Sequence, residues 1–231
     1  MSRSQPIETN PAVKFFRWRG DDGVLDYYDK ELKENVVVAL PFEFLVLDEL
    51  ATITGFSKID QSSYWSNEVR STQREPFTVK TSQGIKQTGL YAELTDVRAK
   101  GAKYARSIYI VYKDGDDYVM GNIKAAGACL TAWIDFCKQY NPQNGKCTLT
   151  GKVEGKNGKT VFYSPTFKYD SCTEAEQEQA IEADKRLQVY LTKYLAKNGA
   201  AEEPLTDPFE ETGDEPSQAD QEWLDRSTAQ A

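Results

Sequence analysis

YARSIYIVYK (104–113), DGDD (114–117), YVMGNIK (118–124) and AAGACLTAWIDFCKQY (125–140) form the stretch on which the fold reading turns. The first and third segments alternate polar and apolar residues, the period of a half-buried strand, and the acidic, glycine-bearing tetrapeptide between them closes a hairpin. The period then changes. Ala126, Cys129, Leu130, Trp133, Ile134, Cys137 and Tyr140 recur at three and four residues, which predicts a helix, and Asn141-Pro142 stops it. KCTLTGKVEG (146–155) alternates again, with Cys147, Leu149 and Val153 expected on one face and Lys146, Thr148, Thr150 and Lys152 on the outward one. Asn157-Gly158 supplies a hairpin turn, and TVFYSPTFKY (160–169) returns.

Upstream, PFTVKT (76–81) reads as a short strand and TGLYAELTDVRAKG (88–101) as containing a short helix that ends at Gly101. Residues 57–75 read as an irregular, basic, aromatic-bearing connection. FEFLVLDELATITGF (42–56) is apolar throughout, so its periodicity does not separate strand from helix. VKFFRWR (13–19) and VLDYYD (24–29) predict a hairpin across Gly20–Gly23, and NVVVAL (35–40) a third strand before Pro41. Downstream, Thr173 and Glu176 have capping-box spacing, and an apolar stripe from Ala180 to Tyr194 predicts a second helix closed by Asn198-Gly199. Strand, hairpin, helix, hairpin is the order of an OB-fold, a five-stranded Greek-key barrel with its helix between strands three and four. The expected fold is therefore mainly β with helices: an OB-fold barrel with an N-terminal β extension and a C-terminal helix. Its strands are expected at 76–81, 104–113, 118–124, 146–155 and 160–169. A polar leader (1–10), a folded domain (11–199) and a disordered acidic tail (200–231) complete the layout.

Composition narrows the function classes. The chain has 231 residues, 39% of them apolar, and no histidine. Ser-His and Cys-His nucleophile pairs are thereby excluded. The four cysteines show no C-x-x-C spacing, which argues against structural zinc, and no metal or other cofactor is expected. No apolar run is long enough to span a bilayer and MSRSQPIETNP lacks a signal-peptide core, so a soluble intracellular protein is expected. The net charge of −8 is segregated: residues 200–231 hold ten acids and one base, whereas residues 58–168 hold 17 bases and ten acids. A basic body on an acidic tail points to a polyanionic partner, with the tail as an internal competitor.

Single-stranded DNA offers phosphates to cations and unpaired bases to aromatic rings. Such residues interleave here. Lys14, Phe16, Arg17, Trp18 and Arg19 run together; Tyr64 and Trp65 precede Arg70 and Arg74; Lys80 lies on the next strand. Lys100, Lys103, Tyr104, Arg106 and Tyr112 follow, then Lys152, Lys156 and Lys159 on the last hairpin. These are the candidate DNA-binding residues. Phe209 and Trp223 place apolar groups among the tail acids and are the candidate partner-docking residues. Glu154-x-Lys156 has the form of a metal-nuclease motif, but it lacks a second nearby acid and is too short to be specific.

The segment YIVYKDGDDYVMGNIKAAGACLTAWIDF (109–136), followed by paired strands, a helix and an acidic end, resembles single-stranded DNA-binding proteins of tailed bacteriophages over residues 10–199. The resemblance implies an OB-fold without cofactor or catalytic activity. It implies a protein that coats single-stranded DNA during replication, recombination or repair in the cytoplasm of an infected bacterium. Through the tail it implies contact with replication or recombination proteins, and duplex DNA becomes a further expected ligand when the tail is removed. Many members end in an aromatic residue, whereas this chain ends Thr228-Ala229-Gln230-Ala231, so tail docking rests on Phe209 or Trp223. The alternative is a phage structural or assembly protein with a protein-binding tail.

Overall fold

A computed structural model describes residues 9–198. Its strands are β1 (Lys14–Arg19), β2 (Val24–Asp29), β3 (Glu34–Val37), β4 (Phe42–Ser57), β5 (Ser62–Ser66), β6 (Phe77–Thr81), β7 (Gly84–Gly89), β8 (Ala102–Asp114), β9 (Asp117–Ala125), β10 (Lys146–Asn157) and β11 (Thr160–Asp170). Its helices are α1 (Thr95–Ala99), α2 (Gly127–Gln139) and α3 (Glu174–Asn198). The fold is mixed and mostly β. One open sheet runs β3-β2-β1-β9-β8-β4-β5-β6-β7, with β10 paired to β4 and β11 to β10.

The deciding stretch forms the expected elements: β8 and β9 make an antiparallel hairpin and α2 follows at once, but both strands are covered on both faces and not half-buried. Cys129, Leu130, Trp133 and Phe136 bury the inner face of α2, but Ile134 and Tyr140 point outward, 39% and 44% exposed. The segment left open between strand and helix is β4, a sixteen-residue strand at the centre of the molecule. It pairs with β8, β5 and β10. This corrects the expected arrangement, in which 76–81 lies beside the 104–124 hairpin. That segment is a strand, β6, but it pairs only with β5 and β7. The connection at 57–75 also contains a strand, β5, and β7 is an addition that its exposed, glycine-flanked sequence did not signal.

Three cores result. Phe16, Phe44, Ile108, Ile110 and Trp133 pack on the α2 side of the sheet. Leu47, Leu50, Tyr109, Leu187 and Leu191 pack on the α3 side. Ile53, Tyr64, Phe77, Val79 and Leu94 fill the end formed by β5–β7. α3 begins with the expected reciprocal cap: Thr173 N–H donates to Glu176 Oε2 at 2.8 Å, and Glu176 N–H to Thr173 Oγ1 at 3.2 Å. Cys147 and Leu149 face the core as expected, but a bulge between Leu149 and Gly151 reverses the faces of β10 beyond it. Before it Thr148 is buried with its neighbours, and beyond it Val153 is 57% exposed.

Candidate nucleic-acid interface

Most of the candidate aromatics belong to the cores. Phe16, Trp18 and Tyr112 lie in the α2-side core, and Tyr64 in the β5–β7 core. Trp65 is 7% exposed. Trp18 also commits its indole N–H to the Tyr163 carbonyl at 2.8 Å, and Tyr64 donates its hydroxyl to Asp60 at 2.8 Å. A ring covered on both faces has none to offer a base, so burial corrects the stacking role expected of these five. Tyr104 differs: it is half-buried at the rim of the β5–β7 core.

The cations divide in the same way. Arg17 donates to the fully buried Asp26 at 2.9 Å, and Arg19 bonds Asp22 and reaches Asp26 at 3.8 Å. Both therefore compensate a buried carboxylate, the condition under which such a charge is tolerated. Lys14 pairs with Asp114 at 2.7 Å. Arg70 holds Asp48 through two bonds of 3.2 and 2.9 Å and also reaches Gln188 of α3. Burial works to raise the Asp48 carboxyl, but hydrogen bonds from Arg70 and Gln188 outweigh it and hold the group below its ordinary range. Lys152 donates to the Asp22 carbonyl and sits 4.4 Å over the Tyr163 ring. Lys80, Lys103 and Arg106 are half-buried, whereas Arg74, Lys100, Lys156 and Lys159 are exposed.

Two surfaces remain. The first lies on the connection between β4 and β8 and the start of β8. Arg98 stands 4.6 Å over Tyr91, Tyr91 meets Tyr104 edge-on at 5.5 Å, and Arg106 stands 5.6 Å over Tyr104. In this half-exposed row two guanidiniums flank two phenols, drawn from the connection and from β8. Tyr91 and Arg98 were not singled out in the sequence, because only their neighbours at 100–106 formed a local cluster. Lys86 and Lys100 lie close enough to Asp60 to help lower its carboxyl, behind the larger effect of the Tyr64 hydroxyl. The second surface is the outer part of the β10–β11 hairpin. β10 leaves β4 after Leu149, so the hairpin continues as a two-stranded arm with Lys156 and Lys159 near its tip. Among the described residues the ion pair of Lys156 is with Glu154, at 3.7 Å and well exposed.

The arm is anchored at its base. Tyr163 N–H donates to the Gly20 carbonyl at 2.6 Å, which ties β11 to the β1–β2 turn. Gly23 is needed there: its φ is +66°, and a Cβ would meet Lys152 Cδ at 2.3 Å. Among the described residues no group of three or more His, Cys, Asp or Glu could hold a metal, and no helix is long and apolar enough to cross a membrane. Phe209, Trp223 and the acidic segment 200–231 lie outside the described residues. Comparison with family models, with curated proteins and with solved structures finds no match for this chain.

Proposed function

We propose that the protein binds single-stranded DNA reversibly and with little sequence preference, as a coating protein of phage replication, recombination or repair. The observation that carries this reading is that two loops each carry a group of exposed cations. Arg74, Lys86 and Lys100 lie on the connection between β4 and β8, which also carries Tyr91 and Arg98, and Lys156 and Lys159 lie on the β10–β11 arm. The order β4, β8, β9, α2, β10, β11 is that of an OB-fold with β4 as its first strand. On that reading, the two cationic regions are the loops joining strands one and two and strands four and five, with which OB-folds grip oligonucleotides. The Tyr163–Gly20 bond supports it further, because it draws the last strand towards β1, which pairs in parallel with β9.

Cations on these loops track phosphates, and the exposed parts of Tyr91 and Tyr104 meet bases. The segment 200–231 competes as a tethered polyanion. When nucleic acid displaces it, Phe209 and Trp223 become available to replication or recombination proteins. A gel-shift titration with a labelled oligothymidylate tests the proposal. Binding at low salt that weakens as salt rises is expected. Removing residues 200–231 is expected to tighten binding and to admit duplex DNA. No binding at low salt by either form overturns the reading and favours a structural or assembly role.

A further inference from the structure

We propose that Phe162, on the β10–β11 arm, is a stacking platform for an unpaired nucleobase; the inference rests on the single-stranded DNA reading above. Four aromatic residues lie on β11, and three are taken up by the fold. Tyr163, Phe167 and Tyr169 pack against the α2-side core, with Tyr163 also lying beneath Lys152. Phe162 belongs to none of the three cores, and among the described residues no other ring packs on it. It is half-buried for a local reason: its ring lies across Gly155, the residue paired with it on β10.

A Cβ on Gly155 would meet Phe162 Cζ at 2.5 Å and Cε2 at 2.6 Å, so the glycine makes room for the ring. Among the described residues no third strand joins the arm beyond the bulge, and Val153, 57% exposed, shares this face with Phe162. Lys156 and Lys159 flank it from the other face and the tip. The arm thus combines one ring, an apolar neighbour and two exposed ammonium groups, the pieces that hold a base by its π-face and its phosphates by charge. An aromatic laid over a cross-strand glycine also shores up a hairpin. That role alone would give no preference for bases, which is what separates the two.

The test compares the full chain and its Phe162 variants on an oligothymidylate and on an abasic oligonucleotide of equal length. Phe162→Ala is expected to weaken binding of the oligothymidylate about 5- to 150-fold, the range for loss of one stacked base. Its binding of the abasic strand is expected to stay unchanged. Phe162→Leu keeps an apolar cover on Gly155 but lacks a π-face, and it should behave like Phe162→Ala. Phe162→Trp should bind like the parent. Gly155→Ala, which displaces the ring without removing it, should also lose the preference for bases. Equal losses on both strands, or no loss, overturn the stacking role while leaving DNA binding standing. Failure of the parent chain to bind the oligothymidylate overturns both.

Discussion

Glu68 joins parts of the chain that are far apart in sequence. Its carboxylate accepts from Ser107 Oγ and, at 2.8 Å, from Tyr109 Oη, while its backbone N–H donates to Tyr194 Oη of α3 at 3.0 Å. Asn122 extends the network to β9 through Ser107, and Asn10 bonds Tyr109 at 3.2 Å. Burial pushes the Glu68 carboxyl above its ordinary value of 4.5, against the opposing effect of these bonds and of Lys124. An acid raised on folding favours the folded state while it stays protonated. Its contribution is complete below about 4.5 and is lost as pH climbs to the raised folded value. Glu68→Gln should therefore gain stability relative to the parent as pH rises through that window, measured as the difference in Tm between the two proteins. A difference independent of pH counts against it. Asp48 has the opposite sign. Its lowered carboxyl stabilises above the ordinary value of 3.8 and ceases to do so as pH falls through the folded value. The stability deficit of Asp48→Asn should accordingly shrink on acidification.

At the scale of elements, β9 crosses the α2-side core with a glycine where its neighbours carry larger side chains. A Cβ on Gly121 would meet Phe16 Cε2 at 2.8 Å and Tyr112 Cε1 at 3.0 Å, two rings that already pack edge to face at 5.2 Å. Gly121→Ala should cost about 1–3 kcal/mol through overpacking, read as a lower urea midpoint with an unchanged slope. The same core explains what the sequence conceals. α2 and the start of α3 are legible because one has a single covered face and the other a cap; β8 and β9 are covered on both faces and are legible from strand-forming residues on either side of the DGDD turn. β4 has no comparable turn signal. Phe44 and Val46 face one core and Leu45 and Leu47 the other, so the apolar run has no alternation to read. Without that alternation the sequence carries no register for β4, and 76–81, which does alternate, reads as the neighbour of β8. Strand parity is uninformative at the site for a related reason. Tyr104 and Tyr112 share a face of β8, yet one lies at a rim and the other under the core. Parity gives the side of a sheet and says nothing of what covers it. Likewise the charge of Arg17 and Arg19 and the hairpin that carries them are visible in the sequence, but the register that sets Asp26 opposite Arg17, and the burial of that carboxylate, come only with the fold.

At the scale of the whole molecule, a count of cations overstates the surface available to phosphate, because several are spent on buried acids. Salt dependence measures the difference. Each phosphate neutralised on a single strand adds about 0.7 to the slope of log affinity against log salt. Lys156 and Lys159 are exposed on the free arm, so replacing both with alanine should reduce that slope by about 1.4 while leaving the Tm nearly unchanged. Arg17 and Arg19 carry the same formal charge, but they face a carboxylate with no exposure. Replacing Arg17 with alanine should lower the Tm, because it uncovers a buried charge, and should leave the salt slope as it was. If Arg17→Ala instead lowers the slope and the double lysine variant does not, DNA runs along the β1–β2 side of the sheet, and the arm is not part of its path.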